Sequence, residues 1–152
     1  MTWEPQQADA DTMARRAELA RAVRDDLSAA GLPVVPEDAD PSVSAGARVT
    51  VDPLNDEAGG VFVHWGVRYV LRSAAMDALV GGGGPGDACI RLSGGTSNAM
   101  QDAIAEILTI AGYDVQKDAN DMAPYQLAVL SRHPGPSWRD WLSEQTARRQ
   151  EP

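Results

Sequence analysis

Apolar positions along this chain fall into blocks of two kinds, one recurring every three or four residues and one alternating. Over residues 10–30 Met13, Ala17, Ala20, Val23, Leu27 and Ala30 recur at helical spacing, while Arg15, Glu18, Arg21 and Asp25 point elsewhere. Asp9 or Asp11 supplies a side-chain oxygen for the start of this helix, and Gly31 with Pro33 stops it. Two alternating runs follow. Val49 and Val51 alternate with Arg48, Thr50 and Asp52, and Val61, Val63, Trp65 and Val67 alternate with Phe62, His64 and Gly66. The stretch from Asn55 to Gly60 between them is turn material, so the pair predicts a hairpin with a long loop and Pro53 at a strand end.

Leu71, Ala74, Ala75, Ala78 and Leu79 predict a short helix over 69–80, ended by Gly81 to Gly84, Pro85 and Gly86. The strongest stripe is Met100, Ala103, Ile104, Ile107, Leu108 and Ala111, which predicts a helix over 98–111 with Asn98 and Gln101 as a capping pair. Tyr113 and Val115 then suggest a strand, with a partner in Tyr125, Leu127 and Val129. Ser137-Trp138-Arg139-Asp140 opens a last helix, in which Trp138, Trp141 and Leu142 share one face. The order α-ββ-α-α-ββ-α describes an α+β domain, an antiparallel sheet of two β-hairpins with helices packed mainly on one face. Residues 9–149 form that domain, residues 1–8 are a disordered or loosely docked N-terminus carrying Trp3, and residues 33–46 are an acidic, proline-rich linker within it.

Composition narrows the class. Leu, Ile, Val and Phe together are 29 of 152 residues and the net charge is −9, close to the range in which chains stay disordered. The clear periodicities and four tryptophans favour a folded domain. One lysine, Lys117, stands against 12 arginines, a usage typical of high-GC bacterial genomes. Nucleic acid and anionic membranes are poor partners for this chain, because phosphate binding needs clustered cations and Arg15, Arg16, Arg21 and Arg24 are interleaved with acids. The start lacks a basic and apolar leader, no apolar run reaches membrane length, and the single Cys89 makes no internal disulfide, so a cytoplasmic location is expected.

Chemistry-bearing motifs are sparse. The glycine run 81–86 lacks the Lys-Ser or Lys-Thr of a phosphate loop. A second run, Ser93, Gly94, Gly95, Thr96 and Ser97 before Asn98, is expected as a flexible loop and helix N-cap; the alternative is that its free backbone donors hold an anion at the helix start, with His64, otherwise a surface hydrogen-bonding residue, as a further ligand-binding candidate. The histidines and the cysteine do not have zinc spacing, and Asp114, Asp118 and Asp121 do not match a calcium loop, so no metal and no cofactor is expected. Cys89 lacks a base nearby in sequence. Asp25 and Asp26 sit where a helix C-terminus disfavours negative charge, a mild cost that a basic contact would offset.

The aromatic residues are the most informative signal. Trp138, Trp141 and Leu142 are candidates either for docking the last helix on its own domain or for an interface. The expectation is a small acidic cytoplasmic protein that acts by protein–protein binding, as adaptor, chaperone-like protein or regulatory subunit, on another protein or a second copy of itself as a homodimer, without catalysis. In element order it resembles small acidic chaperones and adaptors of bacterial protein-handling systems, with no shared motif. The alternative is a small-molecule-binding domain or enzyme with a pocket near the 93–98 loop, using His64, Tyr125 or Cys89.

Overall fold

The computed structural model describes residues 4–40, 42, 44–56, 59–119, 123 and 125–152. Its elements are α1 (Ala10–Ala29), β1 (Gly46–Asp52), β2 (Gly60–Gly66), α2 (Tyr69–Val80), α3 (Ala88–Ile110), β3 (Tyr113–Lys117), β4 (Leu127–Arg132) and α4 (Trp138–Gln150). The order is the expected α+β succession. The strands form one antiparallel sheet, β1-β2-β4-β3, in which the two hairpins meet through β2 and β4. Val61 lies opposite both Val51 and Val129, and Val63 opposite both Val49 and Leu127, so period-two alternation puts all six side chains on one face. Val23 and Leu27 of α1, with Ile104 and Leu108 of α3, close over that face and complete the core.

The start of α1 is set by Asp9, whose Oδ1 accepts the Thr12 N–H at 2.7 Å. After its end Gly31 takes φ +98°, a backbone state that favours glycine. Two of the α1 arginines interleaved with acids have a structural task. Arg16 donates to the carbonyls of Asp52 and Leu54 at 2.7 and 2.9 Å, and Arg24 donates to that of Val49 at 2.9 Å. Arg24 satisfies an acceptor on the outer edge of β1, and Arg16 ties down the chain at the end of that strand. The linker contributes to the same edge. Val35 donates to Ala47 and Ala47 donates to Pro33, both at 2.9 Å, and Val35 is buried. The N-terminal segment is tied down as well, by Ala8 donating to Pro53 and Asn55 to Gln6, both at 2.8 Å. Trp3 lies outside the described residues. Gly59 is required by close approach, since a Cβ there would stand 1.8 Å from the Leu54 carbonyl oxygen.

Asp26 joins three distant segments. Its carboxylate is buried and accepts the Tyr113 hydroxyl at 2.5 Å and the Trp138 indole N–H at 2.8 Å, with the Arg139 guanidinium 3.1 Å away. Arg139 also reaches Asp25 at 3.5 Å and lies over the Trp138 ring at 4.7 Å. The acidic pair near the end of α1 therefore meets an internal cation and two internal donors. These bonds attach α4, which buries no side chain and starts at a capping box in which Ser137 and Asp140 serve each other's backbone N–H.

Replacing Asp26 by Ala leaves a phenol and an indole N–H without their acceptor and a guanidinium without its buried counter-ion. Urea denaturation is expected to show a loss of about 3 kcal/mol for Asp26→Ala, against less than about 0.5 for Asp25→Ala. Burial first, and then the Asp26 carboxylate, push ionisation of Tyr113 above the ordinary 10.0. The unfolded phenol ionises at that ordinary value, so the stabilisation is intact below pH 10.0 and lost as pH climbs toward the native value. Thermal midpoints measured from pH 8 upward are expected to fall on the alkaline side, and Tyr113→Phe is expected to flatten that fall.

Candidate functional site

Two helices carry the unusual surface. The helix α3 starts at Asp87, whose Oδ1 accepts the N–H groups of Cys89 and Ile90 at 2.9 and 3.3 Å, and runs for 23 residues. Its buried residues, Gln101, Ile104, Ala105 and Leu108, all belong to the second half, over the sheet. The first half pairs with α2 in a helical hairpin turned through the glycine run 81–86.

This corrects the expected 93–98 loop. Ser93, Gly94, Gly95, Thr96 and Ser97 are interior helical residues, and the Ser97 hydroxyl donates to the Ser93 carbonyl at 3.1 Å, one turn back. Their backbone donors are spent within the helix, so no anion cradle exists there. Local preference misleads because two glycines cost only about 1 kcal/mol each in a helix interior, while Asp87 caps ahead of them and the second half of the helix is held on the core. The helix N-terminus is therefore eleven residues upstream of the Asn98 expectation.

The remaining candidates are partly brought together. His64 stands opposite Arg48 and shares a cleft of about 160 Å³ with Ala123, Tyr125 and Gln126. Tyr125 lies outside β4, and its hydroxyl is 3.6 Å from where a Cβ on Gly94 would stand. The cleft falls below the roughly 300–1,000 Å³ usual for small-molecule sites. Burial first, then Arg48 and Arg72, hold the His64 pKa below its ordinary 6.5, and its Nδ1 is buried without a hydrogen-bond partner. Cys89 is a half-buried free thiol in the first turn of α3. Among the described residues, His, Cys, Asp and Glu do not gather into a group of three that could hold a metal, and no helix is long and apolar enough to cross a membrane.

The terminal aromatics have divided roles. Trp138 is bound to Asp26 yet 47% exposed, while Trp141 and Leu142 project with 60% and 49% exposure. A larger apolar surface escaped the sequence reading. No residue of α2 is buried, and Tyr69, Val70, Met76, Leu79 and Val80 are each more than half exposed; Leu92 of α3 is exposed as well. Leu71, Ala74, Ala75 and Ala78 form the opposite, half-buried side of α2 that faces α3. The helix is thus apolar on both sides, a pattern found where both sides are covered. The signal was present in the sequence, since Tyr69, Met76 and Val80 form a second stripe beside the alanine stripe.

Comparison of the chain with protein-family models, with curated proteins and with solved structures finds no match in any of the three. Its function must be argued from its own residues.

The lowered His64 pKa makes an acid-side prediction. The native ring resists protonation that the unfolded ring accepts near 6.5, so the stabilisation is present above pH 6.5 and falls as pH drops toward the native value. NMR titration is expected to place the His64 ring midpoint below 6.5. His64→Gln should reduce the loss of stability between pH 6.5 and 5 seen by chemical denaturation.

Proposed function

We propose that this protein works in the cytoplasm by protein–protein binding, without catalysis, and that its contact surface is the outer face of the α2–α3 hairpin. The observation that carries this reading is α2 itself: a 12-residue helix, apolar on two sides, with none of its residues buried. Isolated helices of that length are marginal in water, and here one side is supported by α3 while the other is left to solvent. Exposed apolar area of this kind costs solubility, and a binding partner removes the cost.

Charge supports the same surface. The chain carries −9, but residues 69–99 hold two arginines, Arg72 and Arg91, and two aspartates, Asp77 and Asp87. The hairpin carries no net charge in an acidic molecule, so long-range repulsion is weak where apolar contact is offered. Trp141 and Leu142 of α4 provide a smaller apolar surface elsewhere, held in place through Asp26. The single cysteine is compatible with a reducing compartment.

Leu79→Glu combined with Leu92→Glu places charge on the exposed hairpin without entering the core, so stability should change by less than about 1 kcal/mol. Tagged wild-type protein incubated in lysate is expected to retain a stoichiometric protein partner, whether another chain or an untagged copy, read by quantitative mass spectrometry. The double variant should lose at least ten-fold of it. Equal recovery by both proteins, or a wild-type protein that retains no partner at all, would contradict the proposal.

A further inference from the structure

The outer face of α2 has an internal pattern that goes beyond a merely apolar patch. Tyr69, Ser73, Met76 and Val80 follow one another at spacings of four, three and four, the a/d seam of a two-stranded coiled coil. Tyr69 and Met76 take d positions and Ser73 and Val80 take a positions. Of these, the three apolar side chains are 57%, 56% and 81% exposed, so the seam faces away from α3. The charges of α2 then fall on its two flanks, Arg72 at g and Asp77 at e, five residues apart. In a parallel pair of helices, a g residue meets the e residue five positions on in the partner. Arg72 of one copy therefore meets Asp77 of the other, and the twofold axis produces the pair twice. The helix is complementary in charge to itself.

From this pattern we propose that the occupant of the hairpin's outer face is a second copy of this chain, with α2 packed against α2 in parallel about a twofold axis. The proposal rests on the protein-binding reading above and names its partner. A basic partner has no anionic patch to recognise on this face, because residues 69–99 balance to zero; an acidic one meets no net cation. A neutral apolar helix with one cation on one flank and one anion on the other fits both, and α2 of a second copy is such a helix. Arg72 already donates to the Ser42 carbonyl at 3.3 Å and lies 5.7 Å from the Tyr69 ring, contacts that hold the guanidinium beside the seam.

Charge reversal tests the pairing in full-length protein. Light scattering of the wild type is expected to give about twice the 16.2 kDa chain mass. Arg72→Asp and Asp77→Arg should each raise the dissociation constant at least ten-fold, because each homodimer then opposes like charges. An equimolar mixture of the two variants should recover the dimer, since every g–e pair is again opposite in sign. Ser73→Cys in a Cys89→Ser background should form an intermolecular disulfide, as a parallel axis places a position opposite itself. A dimer that ignores both charge reversals, or one in which Ser73→Cys fails to cross-link while a Ser73→Cys and Met76→Cys mixture does, overturns the parallel pairing. A monomeric wild type that still loses a different captured protein on Leu79→Glu and Leu92→Glu substitution overturns the self-pairing alone. A monomer whose captured proteins ignore that substitution overturns the binding reading with it.

Discussion

One buried carboxylate fixes how the outer parts of this molecule are arranged. Asp26 lies near the end of α1, where a negative charge is mildly unfavourable, and its surroundings more than offset that cost. The Tyr113 hydroxyl comes from β3, the indole N–H of Trp138 and the guanidinium of Arg139 from α4. A helix with no buried side chain is thereby held in register with the sheet by charge-assisted bonds rather than by packing. The same bonds leave Trp141 and Leu142 outward.

The long helix α3 divides the molecule in the other direction. Its second half shares the core with α1 and the sheet, so its position is set by well-covered side chains such as Ile104 and Leu108. Its first half extends from that anchored half along α2, with the Tyr125 hydroxyl near Gly94. Stability is therefore expected to be uneven along one continuous helix, high over the sheet and low in the hairpin. Low local stability suits a segment whose remaining contacts come from a partner, because binding then supplies the missing half of its packing.

Much of this architecture was legible in residue order. The valine alternation of β1 and β2, the α1 stripe and the Ser137–Asp140 cap each appear where the pattern puts them, because in these segments local preference and tertiary packing agree. Hairpin pairing was not legible, since β2 and β4 meet over only three residue pairs and no local signal marks them. The start of α3 was misread for a definite reason. Gly94 and Gly95 signal a loop, but Asp87 caps the backbone before them and the anchored second half carries the helix through. Asp26 stood out only through its unfavourable place near a helix C-terminus; its partners were not legible, because they lie 87, 112 and 113 residues away. Trp138 was legible as a residue that docks the last helix, whereas the outer stripe of α2 was overlooked beside the alanines that face α3.

The central claim is that α2 completes its packing outside its own chain. Hydrogen–deuterium exchange of the intact protein across a dilution series tests it most directly, because one experiment reads α2 and the core together. The account predicts that amides of residues 71–80 exchange faster as the protein is diluted, while those of residues 104–110 keep constant protection. Concentration-independent protection of residues 71–80, as strong as that of residues 104–110, would contradict it.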